Sequence, residues 1–435
     1  MPLTFRSFLA LCVCLCVGPA GCAVYRAEPL PNDDALLSDV TMLRGAAGAT
    51  LPFDVSDGID VDEVALIAVL NNPALRAVRA GRGVAQAQVF AAGLFPDPQV
   101  TVGSDNPTNQ TDTQVNAYTL SIGYDVGALV TRSPTRAAAH SAAEQVRLDV
   151  VWQEWQVAQQ ARIAATRYQT ELRKLDVLRA AHDQFETRAA ASTHALDNGD
   201  LTVDVAGTDL GALLDVDNRL YQLEIQHSGT AHELNALLGL LPDVALNLVG
   251  AQAPPAIEAA GNADQRPDLL ALRAGYESQE ARLRAAIWRQ FPALTLTWNR
   301  LRDTSSVWTS GIGATLNLPI FSGARGDIAV EQATREKLRA EYQARLAQTS
   351  SDVARLQADA VITQTQLSDL RARVPYLEKM AEQARQGYQT GDLDALVSIN
   401  LDAAVVSNRI QLIDLEQTLW ETRITLDSLL GRVAP

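Results

Sequence analysis

The sequence predicts a mainly α-helical chain, built from a duplicated unit and carrying a membrane β portion of four strands. Three observations lead there. Five short motifs recur in one order, two pairs of segments alternate apolar and polar residues, and two helix-like stretches run unbroken over about 133–196 and 324–388.

The repeat is the most direct of these, since self-similarity at a fixed offset marks a duplicated architecture. "NNPALRAVRA" (71–80) returns as "QRPDLLALRA" (265–274), and "FPDPQVTVG" from Phe95 as "FPALTLTW" from Phe291. "LSIGYDVG" (120–127) returns as "LNLPIFSG" (316–323), "NGDL" (198–201) as "TGDL" (390–393), and "LNALLG" (234–239) as "LDSLLG" (426–431). The offset stays between 192 (Gly199 to Gly391) and 196 (Phe95 to Phe291). The units span 63–239 and 265–431, with a Pro-rich linker over 240–264 and a tail over 432–435.

Each unit opens with a short helix, 74–93 or 269–290, stopped near Phe-Pro because the residue before proline avoids helix. A strand pair follows, about 98–104 with 116–126 and about 293–300 with 307–321. Leu294, Leu296 and Trp298 alternate with Thr295, Thr297 and Asn299; Trp308, Ile312, Ala314, Leu316, Leu318 and Ile320 fall opposite Thr309, Thr315 and Asn317. A period of two with one apolar side is strand. A long helical hairpin completes each unit, about 133–239 and 324–431, turning at Gly199-Asp200 and Gly391-Asp392. Leu367, Leu370, Val374, Leu377, Ala381, Ala384 and Tyr388 form a heptad seam, the signature of coiled-coil packing, with Pro375 as a candidate kink.

These strands have the length and polarity of membrane β-strands. Open sheet edges do not survive in hydrocarbon, so the sheet must close, and four strands are too few. Three copies supply twelve strands, with the long hairpins packing below as a helical cylinder.

All four cysteines lie in "CVCLCVGPAGC". Arg6 followed by the apolar "FLALCVCLCV" reads as a signal peptide over 1–21, removed on export. "PAGC" resembles the lipobox of bacterial lipoproteins, which makes Cys22 the expected lipidated N-terminus, although Pro19 stands where that family prefers an aliphatic residue. Residues 22–62 would be a lipid-anchored extended segment, and Ala23 in place of aspartate favours the outer membrane.

Composition excludes other classes. A net charge of −15 without a basic patch argues against nucleic acid. The five histidines, His140, His182, His194, His227 and His232, are scattered over helical stretches and read as surface residues, without metal-ligand spacing. With no phosphate loop and no catalytic constellation, the expected reading is not an enzyme, with no cofactor and no metal.

The twice-repeated order of helix, Phe-Pro, strand pair, long helix, Gly-Asp turn, returning helix and "LLG" resembles the outer-membrane efflux proteins of the TolC family. "QRPDLLALRAGYESQEARLRAAIWRQFPALTLTW" (265–298) and "LNLPIFSGARG" (316–326) resemble segments of that family's lipoprotein channels from tripartite pumps. The resemblance implies a homotrimer, with a 12-stranded outer-membrane β-barrel above a periplasmic α-helical coiled-coil barrel. It also implies an equatorial collar made by the linker and termini. As partners it implies a periplasmic adaptor (membrane fusion protein), an inner-membrane pump of the RND type, and outer-membrane lipid of a Gram-negative bacterium. The function implied is a passive exit duct for cargo that the sequence does not specify. A lipid-anchored periplasmic adaptor or envelope scaffold is the alternative, and the paired membrane strands count against it.

In that family the hairpin tips close the duct, and the helix after the second turn carries acidic residues toward the pore. Here those positions hold Val397 and Asn400, so Asp402, then Asp394, are the candidate substitutes, with Asp204 and Asp209 near the first turn. Three copies of one carboxylate around a narrow axis would repel one another and bind cations.

Overall fold

The computed structural model describes residues 24–33, 35–43, 55, 57–108, 114–250, 265–321 and 323–432. The expected signal peptide (1–21) and the expected lipidated Cys22 lie outside them. The chain divides into two units, 1–35 and 36–435. The described residues of the first carry neither helix nor strand. All elements named below belong to the second.

Two short helices come first, α1 (Val61–Asn71) and α2 (Pro73–Gly93). Helix α1 was not expected, because its apolar run "VALIAVL" has no polar face to show a helical period. A capping box starts it: Asp60 accepts from the Asp62 and Glu63 amides, and Glu63 accepts from the Asp60 amide. Asn72 caps α2 through the Leu75 amide, and Pro73 occupies the first turn, where a missing N–H costs nothing.

Strands β1 (Gln99–Asp105) and β2 (Ala117–Asp125) lead into α3 (Val126–Asp197). Helix α3 begins seven residues before the expected Ser133. Asp125 ends the strand and caps the helix through the Ala128 amide, and Pro134 is accommodated inside the helix. At 72 residues α3 is about 108 Å long. Helix α4 (Val203–Leu238) returns along it.

The second half repeats the order: α5 (Pro267–Trp288), β3 (Ala293–Arg302), β4 (Trp308–Asn317), α6 (Arg325–Gln389) and α7 (Ala395–Leu429). Strand β4 stops four residues before the expected 321. Pro319 lacks the ladder N–H, and its carbonyl closes a turn with the Gly323 amide, so Leu318 and Ile320 lie beyond the strand. Helix α6 runs through Pro375 without interruption.

The four strands form one antiparallel sheet in the order β1-β2-β3-β4. Among the helices α3 is central. It packs against α1, α2 and α5 toward the sheet, and against α4 and α7 toward the tips, while α6 packs first on α5 and then on α7. The heptad seam of α6 is the face it buries: Leu367, Val374, Ala381 and Ala384 are buried, with Leu370, Leu377 and Tyr388 half-buried.

One core lies at mid-height. Ile59, Ile67, Leu234, Leu238 and Leu240 close over Ala161, Ala164 and Ala165, small residues that let neighbouring elements approach α3. Parallel bridges Leu37–Leu240 and Ile59–Leu248 tie the segment before α1 to the linker. The "RPD" motif forms a second anchor. Arg266 is fully buried and donates to both carboxylate oxygens of Asp268, at 3.0 and 2.7 Å, and to Thr349 Oγ1 at 2.9 Å. Arg345 adds a bond to Asp268 at 2.8 Å, and Arg266 stacks on Trp152. A bidentate pair of this kind satisfies the buried charges and fixes α3, α5 and α6 in register.

Candidate functional site: the two-faced sheet and the hairpin tips

Register decides which strand residues share a face. Val100 pairs with Ile122, Ile122 with Trp298, and Trp298 with Ile312, so one apolar row crosses all four strands. Thr101, Ser121, Asn299 and Gly311 form the adjacent row on the other face, and Ser121 donates to Asn299 Oδ1 at 2.8 Å. The apolar row is solvent-exposed in the single chain, Ile312 by 85%. A soluble sheet buries its apolar face; this one presents it outward.

The opposite end of the molecule is the pair of hairpin tips, built alike. Gly199 stands two residues beyond the end of α3 and Gly391 two beyond that of α6, both with φ of 80°. The Asp200 and Asp392 amides bond back to the carbonyls of Ala195 and Gly387, each at 2.8 Å. Only a left-handed residue lets the chain reverse this way, and glycine adopts that conformation without penalty. Asp394 caps α7 through the Leu396 amide, at 2.9 Å. Exposed Asp204 lies in the first turn of α4, its carboxyl held below the usual range by a hydrogen bond with the Thr202 side chain.

Above the turns a polar cluster joins the hairpins. Arg188 of α3 donates to Asp209 Oδ1 of α4 at 2.6 Å, and to Ser398 Oγ and the Ala395 carbonyl of α7, both at 3.1 Å. Its guanidinium also stacks on Tyr388 of α6. Ser192 donates to the second oxygen of Asp209. Arg385 of α6 donates to Asp402 Oδ1 at 3.2 Å and is held by Glu382. Toward the sheet lies the apolar packing of Leu178, Phe185, Val216 and Ile399.

This placement divides the expected gate residues. Asp394, Val397, Asn400 and Asp204 are exposed, as are the turn residues Gly199, Asp200, Gly391 and Asp392. Asp209 and Asp402 are not: they are 0% and 4% exposed, turned into the helix packing. The expectation that Asp402 presents a free carboxylate to a pore is therefore corrected. Burial raises its carboxyl above the ordinary value, against the pull of Arg385. Arg188, Arg385, Ser192, Ser398 and Tyr388 were missed. The available signal was Asp209 itself, which shares a helical face with Ala206, Leu213 and Val216; a buried carboxylate demands a cation.

Two histidines also differ from the surface reading. His227 is half-buried, stacks on Tyr168 at 4.5 Å between ring centres, and has Nδ1 3.5 Å from the buried Glu171. His182 lies 3.3 Å from Asp217 and, with Asp183 and Glu186, forms a group with metal-ligand reach that the sequence reading did not mark. Asp183 and Glu186 are exposed.

Comparison with known proteins agrees with this geometry. Residues 262–432 match the outer membrane efflux protein family. That match covers the second repeat. Several solved structures share the fold of nearly the whole chain. The CmeC outer membrane channel of Campylobacter jejuni superposes with a TM-score of 0.75 at 14% identity, covering 94% of this chain and 95% of its own. A membrane protein from Pseudomonas aeruginosa gives 0.74 at 19% identity, covering 94% and 99%. The outer membrane protein VceC of Vibrio cholerae gives 0.72 at 18% identity, covering 86% and 96%. No match was found among the curated proteins. The first repeat lies outside the family match, yet it has the same element order, the same tip geometry and a shared sheet. Both halves thus share one architecture, and the whole chain shares the fold of these channels.

Proposed function

We propose that the chain is the outer-membrane exit duct of a tripartite efflux or export system, passively conducting cargo to the exterior. Three copies would close a 12-stranded barrel above a helical tunnel. The observation that carries this reading is the sheet. Its outward row Val100–Ile122–Trp298–Ile312 is apolar and its inward rows are small and polar apart from Leu301, the arrangement of a barrel that faces lipid outside and water inside.

The helices support closure by copies. Helices α4 and α6 flank the row of tip helices; α4 leaves the apolar stripe Leu210, Leu214, Tyr221 and Ile225 exposed, and α6 exposes Ile362, Tyr376 and Met380 with the charged Asp369 and Arg373 between them. A head-to-tail contact between α4 of one copy and α6 of the next repeats until a ring closes. In this reading Cys22 carries the lipid anchor in the outer membrane of a Gram-negative bacterium. The tips meet a periplasmic adaptor, and an inner-membrane pump of the RND type supplies the energy. The exposed Asp394, Val397, Asn400 and Asp204 line the closed tip, while the Arg188 and Arg385 clusters hold each chain's hairpins together.

The test is a detergent-extracted preparation of defined mass reconstituted into a planar bilayer. A trimer that conducts ions is expected. A monomer without conductance would sink the duct in favour of a lipid-anchored scaffold.

A further inference from the structure

The outward face of the sheet is uncharged except at one place. On β1, β2 and β4 every outward position within the strands is apolar, serine or tyrosine. On β3 the series Leu294, Leu296, Trp298 continues as Arg300 and Arg302, the last two outward positions before the turn into β4. Two residues along a strand place their side chains about 6.8 Å apart on the same face.

No described neighbour neutralises this pair. Among the described residues neither arginine forms an ion pair. Arg300 stacks over Trp308, 5.3 Å from the ring centre, and Arg302 donates to Ser306 Oγ at 3.0 Å. Neighbouring Asp303 accepts from the Ser305 and Val307 amides. Asp105, at the same end of the sheet, alternates onto the opposite face. Among the described residues the two guanidiniums thus have no carboxylate partner, beside Trp308 and Tyr118 on the face that otherwise suits hydrocarbon.

Their height indicates what they meet. Both connections at this end of the sheet join strand to strand, whereas the other end leads into the long helices. Resting on the duct reading, this end lies at the outer surface, and Trp308 and Tyr118 sit at the level of an aromatic girdle. We infer that Arg300 and Arg302 form a binding site for the phosphate groups of an outer-leaflet glycolipid of the lipid A type. The planar guanidinium fork matches phosphate oxygens bidentately, and its weak hydration favours it over lysine at a partly dehydrated interface.

The test uses the full-length assembly in detergent, titrated with bisphosphorylated lipid A, dephosphorylated lipid A and inorganic phosphate. The intact protein is expected to prefer the bisphosphorylated lipid about tenfold, the scale of one to two basic residues facing an anionic headgroup. Arg300→Gln/Arg302→Gln should lose that preference, Arg300→Lys/Arg302→Lys should recover part of it, and millimolar inorganic phosphate should not compete. Unchanged preference in the glutamine variant, equal binding of the dephosphorylated lipid, or displacement by inorganic phosphate would each overturn the lipid site. Bilayer conductance of the same preparations separates the two readings. A conducting assembly without lipid discrimination overturns this inference alone; one that neither conducts nor discriminates overturns the duct as well.

Discussion

Arg188 and Asp209 form an ion pair at 2.6 Å in which the carboxylate has no exposure to solvent and the arginine side chain only 15%. The same guanidinium reaches Ser398 and the Ala395 carbonyl on the second hairpin. One residue therefore both neutralises a buried charge in the first repeat and holds the second repeat against it. The coupling is local to the tips, where the two repeats meet.

Arg188→Ala should cost about 3–5 kcal/mol, because it leaves the Asp209 carboxylate buried with only Ser192 as a polar partner. The loss should appear first as faster hydrogen exchange at the start of α7, and in reconstituted protein as raised conductance. Arg188→Ala/Asp209→Ala should recover much of the stability but not the exchange protection at Ala395–Ser398. Unaltered protection in the single variant would show that the hairpins are held elsewhere.

Asp402 gives a pH-dependent test. Its carboxyl is raised above the ordinary 3.8 by burial, with Arg385 opposing, so the folded chain holds this proton more tightly than the unfolded chain. The contribution to stability is then greatest below about pH 3.8 and is lost as pH rises through the folded value. Asp402→Asn stays neutral throughout. It should raise the melting temperature at pH 7, with the gain shrinking as pH is lowered toward 4. An equal gain at both pH values would rule out titration as the cause.

The two faces of the sheet should respond oppositely to charge. Ile122→Arg or Leu296→Arg should cost about 2–4 kcal/mol if near the membrane midplane, while Thr297→Arg or Asn299→Arg is tolerated. Leu318, beyond the end of β4, should be less sensitive than either outward position. Refolding into lipid vesicles against denaturant measures all five, and equal damage on both faces would mean a two-sided soluble sheet.

At the tips, Gly199→Ala and Gly391→Ala should each cost about 1–2 kcal/mol, since φ of 80° strains any residue with a Cβ. No atom lies within 4 Å of the added carbon at either site, so the cost is conformational and should be equal in the two repeats. Melting curves that separate the two by several kcal/mol would break the equivalence of the turns.

At the other terminus, mass spectrometry of the mature protein should find a diacylated Cys22. A free amino terminus at any other residue would remove the anchor. Cys22→Ala should leave the fold intact, since one acyl anchor adds little once a barrel is inserted.

The duplication, the strands and the tips were legible because each depends on local chemistry. Phe-Pro stops a helix, alternation makes a strand with two unlike faces, and Gly-Asp reverses a helix, wherever the remainder of the chain goes. Helix α1 and the first residues of α3 were less legible, since a continuous apolar run has no period and Pro134 reads as a boundary although the helix absorbs it. The acidic tip residues were visible as a set, but which of them faces water was not. Asp204 and Asp209 are five residues apart on one helix, and Asp394 caps another helix eight residues before Asp402, yet one of each pair is exposed and the other buried. That difference is made by Arg188 and Arg385, which lie on the other helix of each hairpin and reach the carboxylates only when its two helices pack. The sequence by itself thus determined the repeat, most of its elements and the two unlike faces of the sheet, because these follow from backbone and hydrophobic periodicity. Only the tertiary structure decided which charges are paired, because burying a carboxylate is tolerable only where packing delivers a cation to it.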